Sequence, residues 1–205
     1  MKGKEELLWQ VPNPGEEWPM VPVDKTLMFT RFIQMGLGRP TCDFVRGLLH
    51  FYGLELQNLN PNGILHIAIF VHFCEAFLGI RPHFALFCRL FHVKPQPRKN
   101  ATIPVGGAGI QFCQDAQKLY LDYDLFSTNS GWKELWFYIG DYEPKLPLWT
   151  GKAPKDHPEW KSMPSIAEDA QVRDLLSRIA ELMKGGVTGA SVDIVGSNVE
   201  CNHSH

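Results

Sequence analysis

Residues 60–79 read Asn60-Pro-Asn-Gly-Ile-Leu-His-Ile-Ala-Ile-Phe-Val-His-Phe-Cys-Glu-Ala-Phe-Leu-Gly79, and the way this stretch must fold sets the class of the whole chain. Asn60 offers a side-chain oxygen to cap a helix, Pro61 suits the first turn, and Gly79 suits a terminator, which predicts a helix over 61–78. The stretch is apolar almost all round, so it belongs at the centre of a helical bundle rather than on its surface. His66, His72, Glu75, Arg81, Pro82 and His83 interrupt the apolar run from Ile64 to Val93. No uninterrupted segment approaches the roughly 20 residues of a bilayer span.

Working outward, Gly36-Leu-Gly-Arg-Pro40 is a breaker cluster ahead of Thr41. Phe44, Val45, Leu48, Leu49 and Tyr52 then recur at helical spacing until Gly53, predicting a helix over 41–53. Pro82 opens a third helix, expected over 82–93, which Pro95 and Pro97 prevent from continuing. Further on the period changes. Leu119, Leu121, Tyr123 and Leu125 alternate with Tyr120, Asp122 and Asp124, the signature of a half-buried strand over 119–126. With the turn cluster Ser127–Gly131 and an aromatic run over 132–139, this reads as an antiparallel hairpin, extended to a three-stranded sheet by 109–113.

The expected fold is therefore α+β: an N-terminal helical bundle, then a small β-hairpin or three-stranded sheet, then a C-terminal amphipathic helix. Residues 1–25, with Pro12, Pro14, Pro19 and Pro22, read as an extended arm, with Trp9 or Trp18 lying against the body. Residues 26–142 form the main domain, 143–164 a proline-rich linker, and 185–205 a disordered tail. Between the last two, Ser165-Ile-Ala-Glu168 is a capping box and Gly185-Gly186 a stop, so 165–184 is a helix bounded at both ends. Its Val172, Leu175, Ile179 and Leu182 follow the 3, 4, 3 spacing of a coiled-coil seam. Two heptads are too few for an independent coiled coil, so the stripe must dock on its own chain or mate with another. The expectation favours association.

Twenty Lys and Arg against 22 Asp and Glu give a net charge of -2, which supplies no global field for phosphate backbones or anionic lipid. The local basic group Lys94, Arg98 and Lys99 would give at most weak, salt-sensitive phosphate contact. Cys42, Cys74, Cys88, Cys113 and Cys201 are an odd set without a C-x-x-C pair, so neither a disulfide framework nor a zinc module is expected. The N-terminus lacks the apolar stretch of a signal peptide, and an intracellular location is expected.

Candidate chemistry is sparse. His66 and His72 stand six residues apart, about 120° around a helix, which does not bring both rings to one ion; with His50, His83 and His92 they read as capping or packing residues. Glu75 sits among apolar neighbours, and a structural ion pair with His72, Arg46, Arg81 or Arg89 is its expected role. Gly106-Gly-Ala-Gly109 lacks the Lys-Ser/Thr of a phosphate loop and reads as a turn. Asp115, Asp122 and Asp124 suggest a carboxylate set of nuclease type, but the last two fit the solvent face of the predicted strand. No Gly-x-Ser-x-Gly elbow is present, and Cys42 near a helix start has no histidine placed beside it. Neither catalytic, cofactor nor metal residues are assigned, and no enzyme activity is expected.

The phrases Phe51-Tyr-Gly-Leu54, Leu59-Asn-Pro-Asn62, Cys74-Glu-Ala-Phe-Leu-Gly79, Pro82-His-Phe84 and Gly106-Gly-Ala108, with Gly36-Leu-Gly-Arg-Pro40 as lead-in, resemble the gypsy-type transposon domain, a plant family labelled a gypsy-type transposase. The resemblance spans about residues 26–139. It departs at Phe87, where the family often has tryptophan. It implies retrotransposon origin, and members often continue into coiled coil, but it places no catalytic residue on this sequence. The function it implies here is a non-catalytic Gag-like or scaffold module working by self-association or contacts with other retroelement proteins. The alternative is a nucleic-acid-acting transposition protein.

Overall fold

A computed structural model of the chain describes residues 9–16, 19–38, 41–98, 101–127, 129–140 and 145–192. In chain order it runs β1 (Trp9–Gln10), β2 (Lys25–Phe29), α1 (Thr30–Gln34), α2 (Asp43–Tyr52), α3 (Pro61–Ala76), α4 (Phe84–Leu90), β3 (Phe91–Pro95), β4 (Pro97–Arg98), β5 (Ala101–Thr102), β6 (Ala108–Phe112), β7 (Trp136–Gly140) and α5 (Ile166–Lys184). The fold is mixed: five α-helices among the described residues, and two small antiparallel sheets ordered β1-β7-β2 and β3-β6. The two-residue ribbon β4-β5 lies within the β3–β6 connection. Helices α1 to α4 follow one another between β2 and β3, and α5 comes after β7.

Helix α3 forms for the reasons its sequence gives. Asn60 Oδ1 accepts the Gly63 amide at 2.7 Å and Pro61 fills the first turn, while Gly79 leaves the helix in a left-handed conformation at φ +63°. It is buried on nearly every face. Phe70 meets Phe87 at 5.1 Å between ring centroids, Phe87 meets Phe91 at 5.0 Å, Phe91 meets Phe112 at 4.8 Å, and Phe73 meets Tyr120 at 5.3 Å. These rings tie α3, α4, β3 and β6 into one core, each burial contributing about 2–3 kcal/mol.

Three sequence expectations need correction. The helix expected over 82–93 ends at Leu90, and Phe91 turns extended at φ -130°, ψ 153°. Phe91 and Val93 are buried while Lys94 is exposed, and pairing Phe91 to Phe112 through Pro95 to Ala108 in register outcompetes continuation of the helix. The strand over 119–126 is absent: Ala116–Leu119 is a 3-10 turn and 120–126 has no regular structure. Adjacent Tyr120 and Leu121 are both buried, which a half-buried strand forbids. The hairpin over 119–139 is therefore not formed. Instead β7 pairs Lys25↔Gly140 through Phe29↔Trp136 with β2, and Trp9↔Ile139 and Gln10↔Tyr138 with β1.

The flanking segments also differ from expectation. Trp9 enters a strand but remains 54% exposed, and Trp18 lies outside the described residues. From 145 to 164 the chain is fastened rather than loose: Trp160 is buried and donates to the Tyr52 carbonyl at 2.9 Å, and Thr150 donates from its amide and hydroxyl to Glu55. The segment expected to be a disordered tail is ordered to 192, with Gly189–Val192 a 3-10 turn and Gly189 donating to the Asp122 carbonyl at 3.2 Å; residues 193–205 lie outside the described residues.

Candidate functional site

Gln57, Asn58 and Asn60 build a polar clasp around the glycine-rich turn. Gln57 is fully buried; its amide nitrogen donates to the Leu27 carbonyl at 2.7 Å and to Thr26 Oγ1 at 3.2 Å, and its backbone carbonyl accepts the Gly106 amide at 2.9 Å. Asn58 donates to the carbonyls of Pro104 and Lys152, and the Asn60 amide donates to the Ala108 carbonyl. A Cβ at Gly107 would stand 1.9 Å from the Ile103 carbonyl oxygen, so only glycine fits. Gly106-Gly-Ala-Gly109 is thus a close-packed turn whose groups face the protein, and it offers no phosphate cradle.

His66, His83 and His157 hold structure. His66 is buried, its Nδ1 lies 2.5 Å from the Tyr123 hydroxyl, and Phe91, Phe112 and Tyr123 surround its ring. Burial pushes it down to about 4, so it is neutral at physiological pH. His83 Nδ1 caps α4 by accepting the Leu86 amide, and His157 Nδ1 accepts the Glu159 amide. His92 is lowered by burial and by the charges of Lys94 and Lys161. Arg98 lies in β4, and Lys99 and Cys201 lie outside the described residues. Asp115, Asp122 and Asp124 are exposed on a turn and an irregular segment rather than on a strand, so the strand argument for their surface role is replaced by their exposure. Among the described residues no group of three His, Cys, Asp or Glu is arranged to hold a metal ion, and no helix is long and apolar enough to cross a membrane.

Arg46 lies in α2. It donates to Asp43 and to the Thr41 carbonyl at the start of α2. Glu75 is half-buried in the last turn of α3, and His72 packs edge-on against Phe77 at 6.1 Å. Asp43, which pairs with Arg46, sits three residues before it, a spacing the sequence displays openly.

The stripe on α5 divides. Val172, Leu175 and Ile179 are buried against the chain's own core, so three of the four residues expected to form an intermolecular seam are consumed by docking. Leu182 is half-buried and lines an open, largely apolar groove of about 510 Å³ with Phe77, Leu78 and Val187. Arg178, at its rim, donates to the Leu78 carbonyl at 2.6 Å.

A second surface, which the sequence reading missed, lies on the arm that carries β1. There β1 pairs Trp9 with Ile139 and Gln10 with Tyr138, and β2 pairs on the other side of β7. Trp9, Val11, Met20 and Val23, four of the ten large apolar side chains exposed among the described residues, lie on or beside this arm. The arm is held by Glu16, which accepts the Tyr138 hydroxyl and the Met20 amide. The Tyr138 hydrogen bond is the main cause holding the Glu16 carboxyl below its usual range. A sequence signal was present in the apolar residues that punctuate a proline-rich arm.

No curated protein and no solved structure matches the chain. The family match covers a third of the chain, from β2 to the end of β3, and stops before the glycine-rich turn. It contains Gln57, Asn58 and Asn60, the donor half of the clasp. Over residues 27–95 the chain carries the sequence signature of the family described as "Putative gypsy type transposon".

Proposed function

We propose that this chain is a non-catalytic module of retroelement origin, Gag-like or scaffold in character, that works by self-association. The observation that carries the reading is the concentration of exposed apolar side chains, Trp9, Val11, Met20 and Val23, along the N-terminal arm. Exposed apolar clusters favour contact with another polypeptide. The near-balanced charge favours protein over nucleic acid as the partner.

Light scattering across tens to hundreds of micromolar tests this. Wild type is expected to approach twice 23.3 kDa, while Val11→Glu with Val23→Glu, at two exposed positions, stays at the single-chain mass. A wild type that remains a single chain throughout defeats the reading. Addition of single-stranded or duplex oligonucleotides should leave the mass unchanged. A salt-sensitive rise with oligonucleotide alone favours the alternative, nucleic-acid-acting function, through Lys94 and Lys161 beside His92.

A further inference from the structure

We propose that Cys88 and Cys113 form a redox-modification site, at which a small dissolved disulfide oxidises the two thiols to one intramolecular bond between α4 and the end of β6. The fold brings the pair together. Strand β6 pairs with β3 as far as Phe112 opposite Phe91, and the next amide, that of Cys113, donates to the Leu90 carbonyl at 2.8 Å. This register sets Cys113 against the last turn of α4, where its thiol donates to the Cys88 carbonyl at 3.8 Å. Both thiols are free, and Cys88 Sγ stands 3.5 Å from the Tyr52 hydroxyl. The carbonyl and the Cβ of Cys88 branch from one Cα, so rotation about its Cα–Cβ bond carries the Cys88 sulfur away from Tyr52 and toward the sulfur that touches its own carbonyl oxygen.

Access assigns the two roles. Cys113 is half-buried and Cys88 is buried, so a dissolved oxidant meets Cys113 first. Burial pushes both thiols up, and the Arg89 charge opposes this at Cys113. Burial first, then Cys88 and Cys113, raise the Tyr52 phenol as well, so the three groups form one cluster. The Cys113 thiolate, its proton passed to water, attacks one sulfur of a disulfide such as oxidised glutathione and releases the first glutathione thiolate. Cys88, deprotonated in turn, attacks the Cys113 sulfur of the mixed disulfide and releases the second. Two protein thiols are thereby oxidised to one disulfide, the small disulfide is reduced to two thiols, and the two protons end on them. Because thiolate is scarce at neutral pH, closure is slow there and quickens as pH rises. The bond takes Cys88 from the Tyr52 hydroxyl and staples the start of β3 to the end of β6.

Oxidised glutathione is the probe. The folded wild-type chain is incubated with it, quenched with acid, and digested without reductant, and peptide mapping should find Cys88 joined to Cys113. A chain carrying Cys42→Ser and Cys201→Ser retains Cys74, Cys88 and Cys113, of which Cys74 is fully buried and pushed up to about 12 by burial. Thiol labelling of this chain in denaturant should fall from three groups to one, with Cys74 the survivor. The rate should rise about ten-fold per pH unit while both reacting thiols remain mostly protonated. Adding Cys88→Ser should trap the glutathione adduct on Cys113, and adding Cys113→Ser instead should leave Cys88 unmodified, which separates a paired site from two independent thiols. Retention of all three thiols, a mixed disulfide that persists on Cys113 while Cys88 is present, or a bond to Cys74 overturns the assignment.

Discussion

His66 illustrates how one residue's environment fixes its role. An imidazole in the middle of an apolar helix could face a ligand, but here it is enclosed by Phe91, Phe112 and Tyr123 and shares a hydrogen bond with the Tyr123 hydroxyl. Burial lowers its pKa from the ordinary 6.5 to about 4. A group depressed in the folded state contributes stability that is fully present above its unfolded pKa and is lost as pH falls through the folded value. The relevant window is thus pH 6.5 down to 4. From the two pKa values the loss between pH 7 and 5 is about 2 kcal/mol. Urea titrations of wild type and His66→Gln across this range, where most carboxylates remain ionised, measure it. The variant should show a pH slope shallower by that amount; parallel slopes would place the ring in water.

At the scale of elements, α5 carries two kinds of apolar residue at one periodicity. The helix is capped as its sequence dictates, with Ser165 donating from its amide to Glu168 Oε2 at 2.9 Å. Ile179 is fully buried, whereas Leu182, one turn further, stands on the wall of the groove beside Phe77 and Val187. Ile179→Asp strands a carboxylate in the core and should destabilise by about 3–5 kcal/mol or prevent folding. Leu182→Asp, with water within reach, should cost only about 1 kcal/mol. Thermal unfolding of the two variants checks this division, and equal losses would mean that the groove is closed in solution.

Across the whole molecule, distant segments depend on one another. The first 29 residues supply both neighbours of β7, Trp160 fastens onto Tyr52, Arg178 onto Leu78, and Gly189 onto Asp122. Such cross-linking of early and late sequence predicts one cooperative unfolding transition. Far-ultraviolet circular dichroism should report the helices, and fluorescence should report Trp132, Trp136 and Trp160. The two midpoints in denaturant should coincide, and separated midpoints would show that the matched stretch 27–95 unfolds independently of the remainder.

The sequence by itself determined the features that depend on nearest neighbours. The Asn60 cap and Pro61, the Gly53 and Gly79 stops, the capping box at Ser165 and Glu168, and the apolar girth of α3 each follow from interactions within a few residues. Tertiary structure decided everything that required a distant partner. Phe91–Val93 became a strand because Ile110–Phe112 lies opposite. Trp136–Gly140 took neighbours from the N-terminus rather than from the adjacent run at 119–126. Leu175 and Ile179 turned inward because α4 and its surroundings offered a surface to cover. Asn60 was legible within a family phrase, but the Gln57–Asn60 clasp emerges only when Gly106–Ala108 is brought against it. The physical reason is common to all four cases. Local propensities differ by a kcal/mol or less, whereas burying a large apolar side chain is worth about 1.5–3 kcal/mol, so a distant surface overrides a local preference wherever the chain can reach it.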